Sequence, residues 1–95
     1  MDIAIVGATG NVGRKIIEVL ENKNFPVSEL YLIASSKSSG QKINFKDKKY
    51  TVIDLEKFDF SKSKIAFFAA GSSVAEKWAP IAAKKTIVID NSKYF

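Results

Sequence analysis

Residues 7–13 read Gly-Ala-Thr-Gly-Asn-Val-Gly, which places glycines at positions 7, 10 and 13. Because glycine has no side chain, this spacing allows a tight reversal and lets backbone amides approach a phosphate group. The apolar run from Asp2 to Val6 predicts a buried strand before the glycines, and Asn11 to Glu21 has the apolar spacing of a helix. Glycine spacing alone is also typical of a turn that binds nothing, but these flanking elements favour nucleotide binding.

The rest of the chain continues to alternate strands with helical segments. Further predicted strands cover residues 30–34, 65–70 and 86–90, and a second predicted helix covers residues 74–85. The strand at 65–70 is apolar at every position, so we expect it to be central and buried on both faces. Pro80 lacks an amide hydrogen and predicts a kink or a restart in the second helix. Residues 41–54 predict a hairpin or a pair of edge strands.

These elements together predict an α/β fold of the Rossmann-like kind. A strand, a helix and a second strand within about 30 residues favour a right-handed crossover, and hence a doubly wound, mostly parallel sheet. The 95 residues are enough for one hydrophobic core, so we expect a single small domain, a dinucleotide-binding domain over residues 1–95.

Composition limits the other functions that the chain could have. No apolar run approaches the ~20 residues that span a bilayer, so we expect no membrane contact and a cytoplasmic location. The sequence has no cysteine and no histidine, which excludes disulfides and thiolate or imidazole metal sites, and we expect no metal and no catalytic residue of these types.

The net charge of +5 includes a cluster of lysines at Lys37, Lys42, Lys46, Lys48 and Lys49. Such a cluster is typical of a solvated surface, and it would also attract an anionic ligand. We expect no nucleic acid partner, because the cluster has no aromatic strand pattern, zinc motif or helix-turn-helix signature beside it.

The loop after the second strand bears on the choice between NAD and NADP. NAD-binding domains commonly place an acidic residue at this point to bind the ribose 2′-hydroxyl. The loop Ser35 to Gly40 has no acid; it offers serine hydroxyls around Lys37, which suits the 2′-phosphate of NADP. A flexible serine-rich loop with a surface lysine is the alternative. The loop Ala69 to Ser73 could also line the cofactor through backbone amides and the Ser72 or Ser73 hydroxyl. A serine here could equally cap the second helix, and the two roles are compatible.

Five segments of the chain, in order, resemble aspartate-semialdehyde dehydrogenase. They are residues 7–13, Phe25-Pro26-Val27, residues 34–40, residues 67–73 and Val88-Ile89-Asp90-Asn91-Ser92. The resemblance implies NADPH-dependent reduction of aspartyl 4-phosphate to aspartate semialdehyde, with release of phosphate, in lysine, methionine and threonine biosynthesis. N-acetylglutamyl-phosphate reductase shares this chemistry, but the loop at 35–40 fits it less well.

The resemblance also implies which residues hold the cofactor. Gly7 and Gly13 belong to the glycine motif, and Asn91 would lie near the reacting centre. The pyrophosphate would contact Thr9, Gly10, Asn11 and Val12. The 2′-phosphate would meet Ser35, Lys37 and Ser38, and the nicotinamide side would be lined by Ala70, Gly71 and Ser72.

The family's nucleophilic cysteine, acid-base histidine and substrate-binding arginines have no counterpart in these 95 residues. A thioester mechanism requires a thiolate, so we expect NADP(H) binding without turnover. A stand-alone nucleotide-binding or partner-docking module and a non-functional remnant are the alternatives. We also expect exposed apolar surface that mediates self-association or binds a partner chain. Candidate residues are Phe25, Trp78, Tyr94 and Phe95, with ordinary core burial as the alternative for each.

Overall fold

A computed structural model of the chain describes residues 1–91. The elements in chain order are β1 (Asp2–Val6), α1 (Asn11–Asn22), β2 (Glu29–Ala34), β3 (Lys42–Phe45), β4 (Lys48–Thr51), β5 (Ile53–Asp54), β6 (Ile65–Phe68), α2 (Ser72–Ala83) and β7 (Ile87–Asp90). Two short 3-10 turns, Leu55–Lys57 and Phe60–Lys62, connect β5 to β6. Within the described residues, no helix is long and apolar enough to cross a membrane.

The main sheet has five strands in the order β5-β2-β1-β6-β7, and all of its neighbouring strands run parallel. The chain moves from β1 to β2 on one side and later returns to β6 on the other side of β1. The strand order therefore reverses beside β1, and the carboxyl ends of β1, β2 and β6 meet at one edge of the sheet. Ligands of open α/β sheets bind at such a switch point. The predicted doubly wound, Rossmann-like fold is confirmed.

Two hydrophobic cores lie on opposite faces of this sheet. Alternate side chains of β1 supply both, because successive residues of a strand point to opposite faces. The first core packs α1 and the β3-β4 hairpin against the sheet, with buried residues Ile3, Ile5, Ala8, Ile17, Leu20, Leu30, Leu32, Ala34, Phe45 and Val52. The second core packs α2 and the 3-10 turns against the other face, with buried residues Ala4, Val6, Ile33, Leu55, Phe60, Ala66, Phe68, Ala75 and Ala82.

The predicted hairpin is confirmed as a separate two-stranded antiparallel sheet, β3-β4. Lys46 and Asp47 form its turn with positive φ angles of 48° and 67°. The Lys46 amide donates a hydrogen bond to a carboxylate oxygen of Glu21 at 2.6 Å, and its Nζ donates to the Phe25 carbonyl at 2.8 Å. Lys46 therefore fastens the hairpin to the end of α1, and it does not belong to a free lysine patch.

Three details of the sequence prediction were wrong. Ile53–Asp54 leaves the hairpin region and pairs in parallel with β2 as the edge strand of the main sheet. β6 is buried on one face only: Ala66 and Phe68 are fully buried, whereas Ile65 and Phe67 are half-buried. The predicted restart at Pro80 does not occur, because α2 is a single helix through Pro80; Pro80 and Glu76, whose carbonyl would have bonded its amide, are both exposed.

Of the aromatic residues expected at an exposed surface, Phe25 packs against the first core and Trp78 against the second, both partly buried. Tyr94 and Phe95 lie outside the described residues. The large apolar side chains that are exposed are instead aliphatic: Met1, Val19, Ile81, Ile87 and Ile89.

Replacing Phe68 with alanine should cost about 3–5 kcal/mol of unfolding free energy, because a large buried side chain is lost and a cavity remains. Phe68 is fully buried, and its ring stacks on that of Phe60 at a centroid distance of 5.9 Å. Ile81→Ala is the control, since Ile81 is 44% exposed on α2, and it should cost less than ~1 kcal/mol. Urea denaturation followed by circular dichroism measures both; equal losses would contradict the assigned core.

Candidate functional site

A cleft of about 330 Å³ opens at the carboxyl ends of β1, β2 and β6. The glycine turn forms one wall, and the segments that follow β2, β5 and β6 form the others. The lining residues are Val6, Gly7, Thr9, Gly10, Ala34, Ser35, Leu55, Ala69, Ala70 and Val74. The structure therefore brings together the glycine motif, the start of the serine loop and the loop after β6, which the sequence analysis had proposed separately.

The glycine turn is pinned to the strand beside it. The amides of Gly7 and Ala8 both donate hydrogen bonds to the Ile33 carbonyl of β2, at 2.8 and 3.1 Å. Gly7 has a φ of +92°, and a Cβ atom there would lie 2.8 Å from the backbone of Ala69. Only glycine satisfies both conditions. The turn therefore fixes the spacing between the loops that follow β1 and β6.

The first helix begins at the floor of this cleft. Its N-cap residue is Gly10, which supplies no side-chain cap, and its first turn contains no acidic residue. The amides of the first helical turn have no partner within the helix, and the helix dipole adds partial positive charge at the same point. A Cβ atom at Gly10 would meet only the Gly7 carbonyl oxygen, at 3.6 Å. The space above Gly10 is thus open, and the donors that border it suit an anion such as a pyrophosphate.

Gly13 has a different role from Gly10. A Cβ atom at Gly13 would collide with the Gly7 carbonyl oxygen and lie 2.8 Å from the Ala8 Cα. Gly13 therefore lets α1 pack directly on the turn.

Two further residues of α1 lie near the turn. Arg14, which the sequence analysis did not assign to the site, donates a hydrogen bond from Nε to the Thr9 carbonyl at 3.1 Å and stabilises the turn. The side chain of Val12 lies away from the cleft, in an apolar cavity on α1, so only its backbone is available to the cleft.

The serine loop is an ordered turn. The amides of Ser38 and Ser39 donate to the Ser35 carbonyl at 3.0 and 3.1 Å, and the Ser39 hydroxyl donates to the Ser36 carbonyl at 2.9 Å. The Gly40 amide donates to the Val52 carbonyl at 2.9 Å, which anchors the end of the loop. Ser35 lines the cleft, while Lys37 is exposed beside it.

Acidic residues approach this loop from the strand that the sequence analysis missed. A second cavity of about 250 Å³ adjoins the cleft and is lined by Ser35, Ser36, Asp54, Leu55, Glu56, Lys77 and Trp78. Asp54 accepts a hydrogen bond from the Glu56 amide at 3.0 Å, so its carboxylate serves as the cap of the 3-10 turn. Lys77 lies in the same cavity, with its Nζ 5.4 Å from the centre of the Trp78 ring. The serine loop itself contains no acidic residue, but Asp54 and Glu56 lie beside it.

The loop after β6 contributes backbone rather than serine side chains. Ala69 and Ala70 line the cleft. Gly71, with a φ of +100°, is the N-cap of α2 and supplies no side-chain cap, so the predicted capping by Ser72 or Ser73 was wrong. Ser72 is the first residue of α2 and lines a groove beside that helix.

Asn91 lies just past β7, at the carboxyl edge of the sheet. Its amide donates to the Phe68 carbonyl at 2.9 Å, which continues the pairing of β7 with β6. The residue is half-buried, and it does not line the cleft described above.

Leu55 and Val74, which do line the cleft, were not predicted, because an apolar side chain in a loop or a first helical turn carries no distinctive pattern in the sequence.

Comparison with known proteins places this geometry in a family. The model of the family described as "Semialdehyde dehydrogenase, NAD binding domain" matches residues 2–95. The aspartate-semialdehyde dehydrogenase of Aquifex aeolicus is 53% identical over 92 residues, which are 95% of this chain and 27% of that protein. The enzyme of the same name from Shewanella violacea is 46% identical over 95 residues, which are 99% of this chain and 28% of that protein.

Solved structures agree with the sequence matches. The crystal structure of aspartate-semialdehyde dehydrogenase II from Vibrio cholerae, complexed with ASA, superimposes with a TM-score of 0.95 at 47% identity. The match covers 99% of this chain and 31% of that one. The chain thus spans less than a third of the length of these relatives.

The different surroundings of Gly13 and Gly40 predict that Gly13→Ala and Gly40→Ala destabilise the chain by different amounts. Gly13→Ala places a methyl group against the backbone of Gly7 and should cost about 3 kcal/mol. At Gly40 a Cβ atom has no atom within 4 Å, so only the φ of +89° opposes it, and the cost should be about 1 kcal/mol. Chemical denaturation gives both values. A Gly13→Ala variant as stable as Gly40→Ala would mean that α1 does not pack on the turn.

Proposed function

Because the chain belongs to the family of the semialdehyde dehydrogenase NAD-binding domain, we propose that it holds NADP(H) across the carboxyl ends of β1, β2 and β6. The observation that carries the proposal is the cleft itself. Its floor presents the uncapped amides of α1, its edge holds the serine loop, and no acidic residue lies in the first turn of either helix.

The pyrophosphate would rest on the backbone amides that follow Thr9. Gly10 leaves room for it, and the start of α1 supplies hydrogen-bond donors and partial positive charge. The adenine ring would lie against Leu55 and Val74, apolar side chains of the second core that line the cleft. The nicotinamide end would extend along Ala70 and Gly71 toward the end of β7, where Asn91 lies.

The 2′-phosphate of NADP would meet Ser35, Lys37 and Ser38 at the end of β2. Ser35 lines the cleft, and the turn that the Ser38 amide closes contains Lys37. Asp54 and Glu56 line the neighbouring cavity with Ser35 and would repel the 2′-phosphate, but the Asp54 carboxylate already accepts a backbone hydrogen bond, and Lys77 lines the same cavity. Because Lys37 and the serine hydroxyls favour the 2′-phosphate and the Asp54 carboxylate is already hydrogen-bonded, we propose NADP rather than NAD as the cofactor.

The cofactor, when bound, supplies a hydride to an acyl carbon or accepts one. We propose that the chain is the cofactor-holding part of the NADPH-dependent reduction of aspartyl 4-phosphate that the resemblance implies; the relatives are named aspartate-semialdehyde dehydrogenases. That reaction needs a nucleophile to displace the phosphate, and the 95 residues contain no cysteine. The residues described here would bind and orient the cofactor, in the cytoplasm where NADPH-dependent biosynthesis takes place, and polypeptide outside them would supply the nucleophile.

Titration of the chain with NADPH and NADH tests the proposed phosphate site. Lys37→Ala and Ser35→Ala should each weaken NADPH binding about 10-fold or more, since each removes a hydrogen bond to a charged phosphate. Binding of NADH should change less than about two-fold, because NADH lacks the 2′-phosphate. Quenching of Trp78 fluorescence and calorimetry give both constants, and Trp78 borders the neighbouring cavity.

Lys48→Ala is the matched control for this titration. It removes the same charge as Lys37→Ala, and Lys48 is exposed. Lys48 begins β4 beside the hairpin turn that bonds to Glu21 of α1, at the opposite end of the hairpin from the serine loop. NADPH affinity should stay within about two-fold of the original. If Lys48→Ala and Lys37→Ala weakened NADPH equally, general surface charge would explain the preference, and the 2′-phosphate site would be wrong.

The chain should bind NADPH without oxidising it when aspartyl 4-phosphate is added, because no residue here can form the thioester. Absorbance of the reduced nicotinamide at steady state is the measurement, and the Vibrio cholerae relative serves as the active control under the same conditions. Sustained oxidation by the purified chain would contradict the proposed division of roles.

A further inference from the structure

Lys77 of α2 lines the cavity beside the cofactor cleft, and we propose that it is a second cation that selects the 2′-phosphate of NADP. This role of Lys77 rests on the cofactor binding proposed above and extends it to a residue outside the glycine motif and the serine loop. The group that Lys77 would recognise is a phosphate monoester on the adenosine ribose. Its charge would therefore act on the choice between NADP and NAD.

The cavity adjoins the cleft at the end of β2. The register of the main sheet pairs Ala34 of β2 with Asp54 of β5. The next residues, Ser35 and Leu55, leave the two strands at the same edge, and both line the cleft as well as the cavity of about 250 Å³. A phosphate that hydrogen-bonds to Ser35 would therefore lie beside both spaces.

The charges that line the cavity would repel such a phosphate if Lys77 were absent. Asp54 and Glu56 contribute two carboxylates, and among the described residues that line the cavity only Lys77 contributes a positive charge. A phosphate monoester itself carries about −1.5 to −2 charges at neutral pH. Lys37 supplies a single positive charge from the serine loop. A second cation is therefore needed before the surroundings favour the phosphate.

The ammonium group of Lys77 is held at the cavity and is not neutralised there. Its Nζ lies 5.4 Å from the centre of the Trp78 ring, a distance at which the ring face attracts a cation. Trp78 is partly buried against the second core and lines the same cavity, which fixes its ring in place. Within residues 1–91, Lys77 forms no ion pair, whereas Lys15 and Lys85 each approach a carboxylate at 3.6 Å. Its charge is thus available to a ligand.

Lys77 would distinguish the two cofactors because only NADP carries the phosphate. With NADP in the cleft, the ammonium group would attract the phosphate and offset the carboxylates of Asp54 and Glu56. With NAD in the cleft, a hydroxyl stands in place of the phosphate, and a nearby carboxylate can accept its hydrogen bond. Loss of the Lys77 charge should therefore weaken NADPH binding and leave NADH binding nearly unchanged.

Calorimetric titration of the chain with NADPH and NADH at physiological ionic strength tests this role. Lys77→Met keeps an unbranched side chain beside Trp78 and removes the charge. It should weaken NADPH binding about fivefold and change NADH binding less than about twofold, because the lost interaction is with an exposed charge. The effect on NADPH should shrink as salt is added, since salt screens exposed charges.

Asp54→Asn tests the balance of charge from the other side. Asparagine keeps a side-chain oxygen that can accept the hydrogen bond of the Glu56 amide, so the 3-10 turn should stay capped. Combined with Lys77→Met, this substitution removes one of the two carboxylates. The double variant should recover most of the NADPH affinity that Lys77→Met loses.

Lys84→Met is the matched control. Lys84 is an exposed lysine at the C-terminal end of the same helix, about 10 Å along the helix axis from Lys77. Its loss should change NADPH binding less than about twofold, because a charge that far away is largely screened. Equal losses of NADPH affinity in Lys84→Met and Lys77→Met would overturn the role of Lys77 in favour of general surface charge.

The remaining outcomes separate Lys77 from the cofactor site itself. If Lys77→Met left NADPH binding unchanged while Lys37→Ala weakened it, the cofactor site would stand and Lys77 would have no part in it. Equal weakening of NADPH and NADH would make Lys77 a support of the cavity and also overturn its selective role. If the unaltered chain bound neither nucleotide, the cofactor site would be wrong and the role of Lys77 with it.

Lys77→Met should fold, because the side chain is exposed. Urea denaturation checks this, and Lys77→Gln makes the same change of charge with a polar side chain if the methionine variant is unstable. A folded Lys77→Gln variant that bound NADPH as tightly as the unaltered chain would overturn the role of Lys77.

Discussion

The two hydrogen bonds from the Gly7 and Ala8 amides to the Ile33 carbonyl are the constraint on which the cleft depends. They fasten the first turn to β2, while the missing side chain of Gly7 lets the same turn touch Ala69 after β6. The turn is thus held between its two neighbours at the point where the strand order reverses. Any side chain that separated these strands would move the serine loop, the start of α1 and the loop after β6 relative to one another.

The three glycines of the motif meet three separate physical requirements. Gly7 needs its positive φ and its close contact with β6, and Gly13 is needed for direct packing of α1 on the turn. Gly10 has neither constraint, since it has ordinary space around it and a φ of −82°. Its missing side chain leaves space for a bound ligand and is not required by packing within the protein. This difference is the strongest structural reason to expect an anion above Gly10.

The sequence predicted those parts of the molecule that leave a periodic or glycine-based pattern. The glycine turn, α1 and the hairpin were predicted correctly because each depends on local spacing, and the parallel direction of the long strands because a strand-helix-strand unit favours a right-handed crossover. β5 was missed because its two residues are too few to show a period. Its omission also hid Asp54 and Leu55 from the predicted site. The role of Gly71 as cap of α2 and the exposure of Ile87 depend on what surrounds them in three dimensions, which no local pattern records.

The central claim is that the glycine turn receives the pyrophosphate of the cofactor, and backbone amide chemical shifts test it most directly. In a titration of the isotope-labelled chain with NADPH, the amides of residues 9–12 should shift most, together with those of Ser35 and Ala70. The amides of Asp47 and Lys48, at the hairpin turn that is fastened to the end of α1, should be unaffected. Saturable binding of NADPH that left residues 9–12 unshifted would contradict the account.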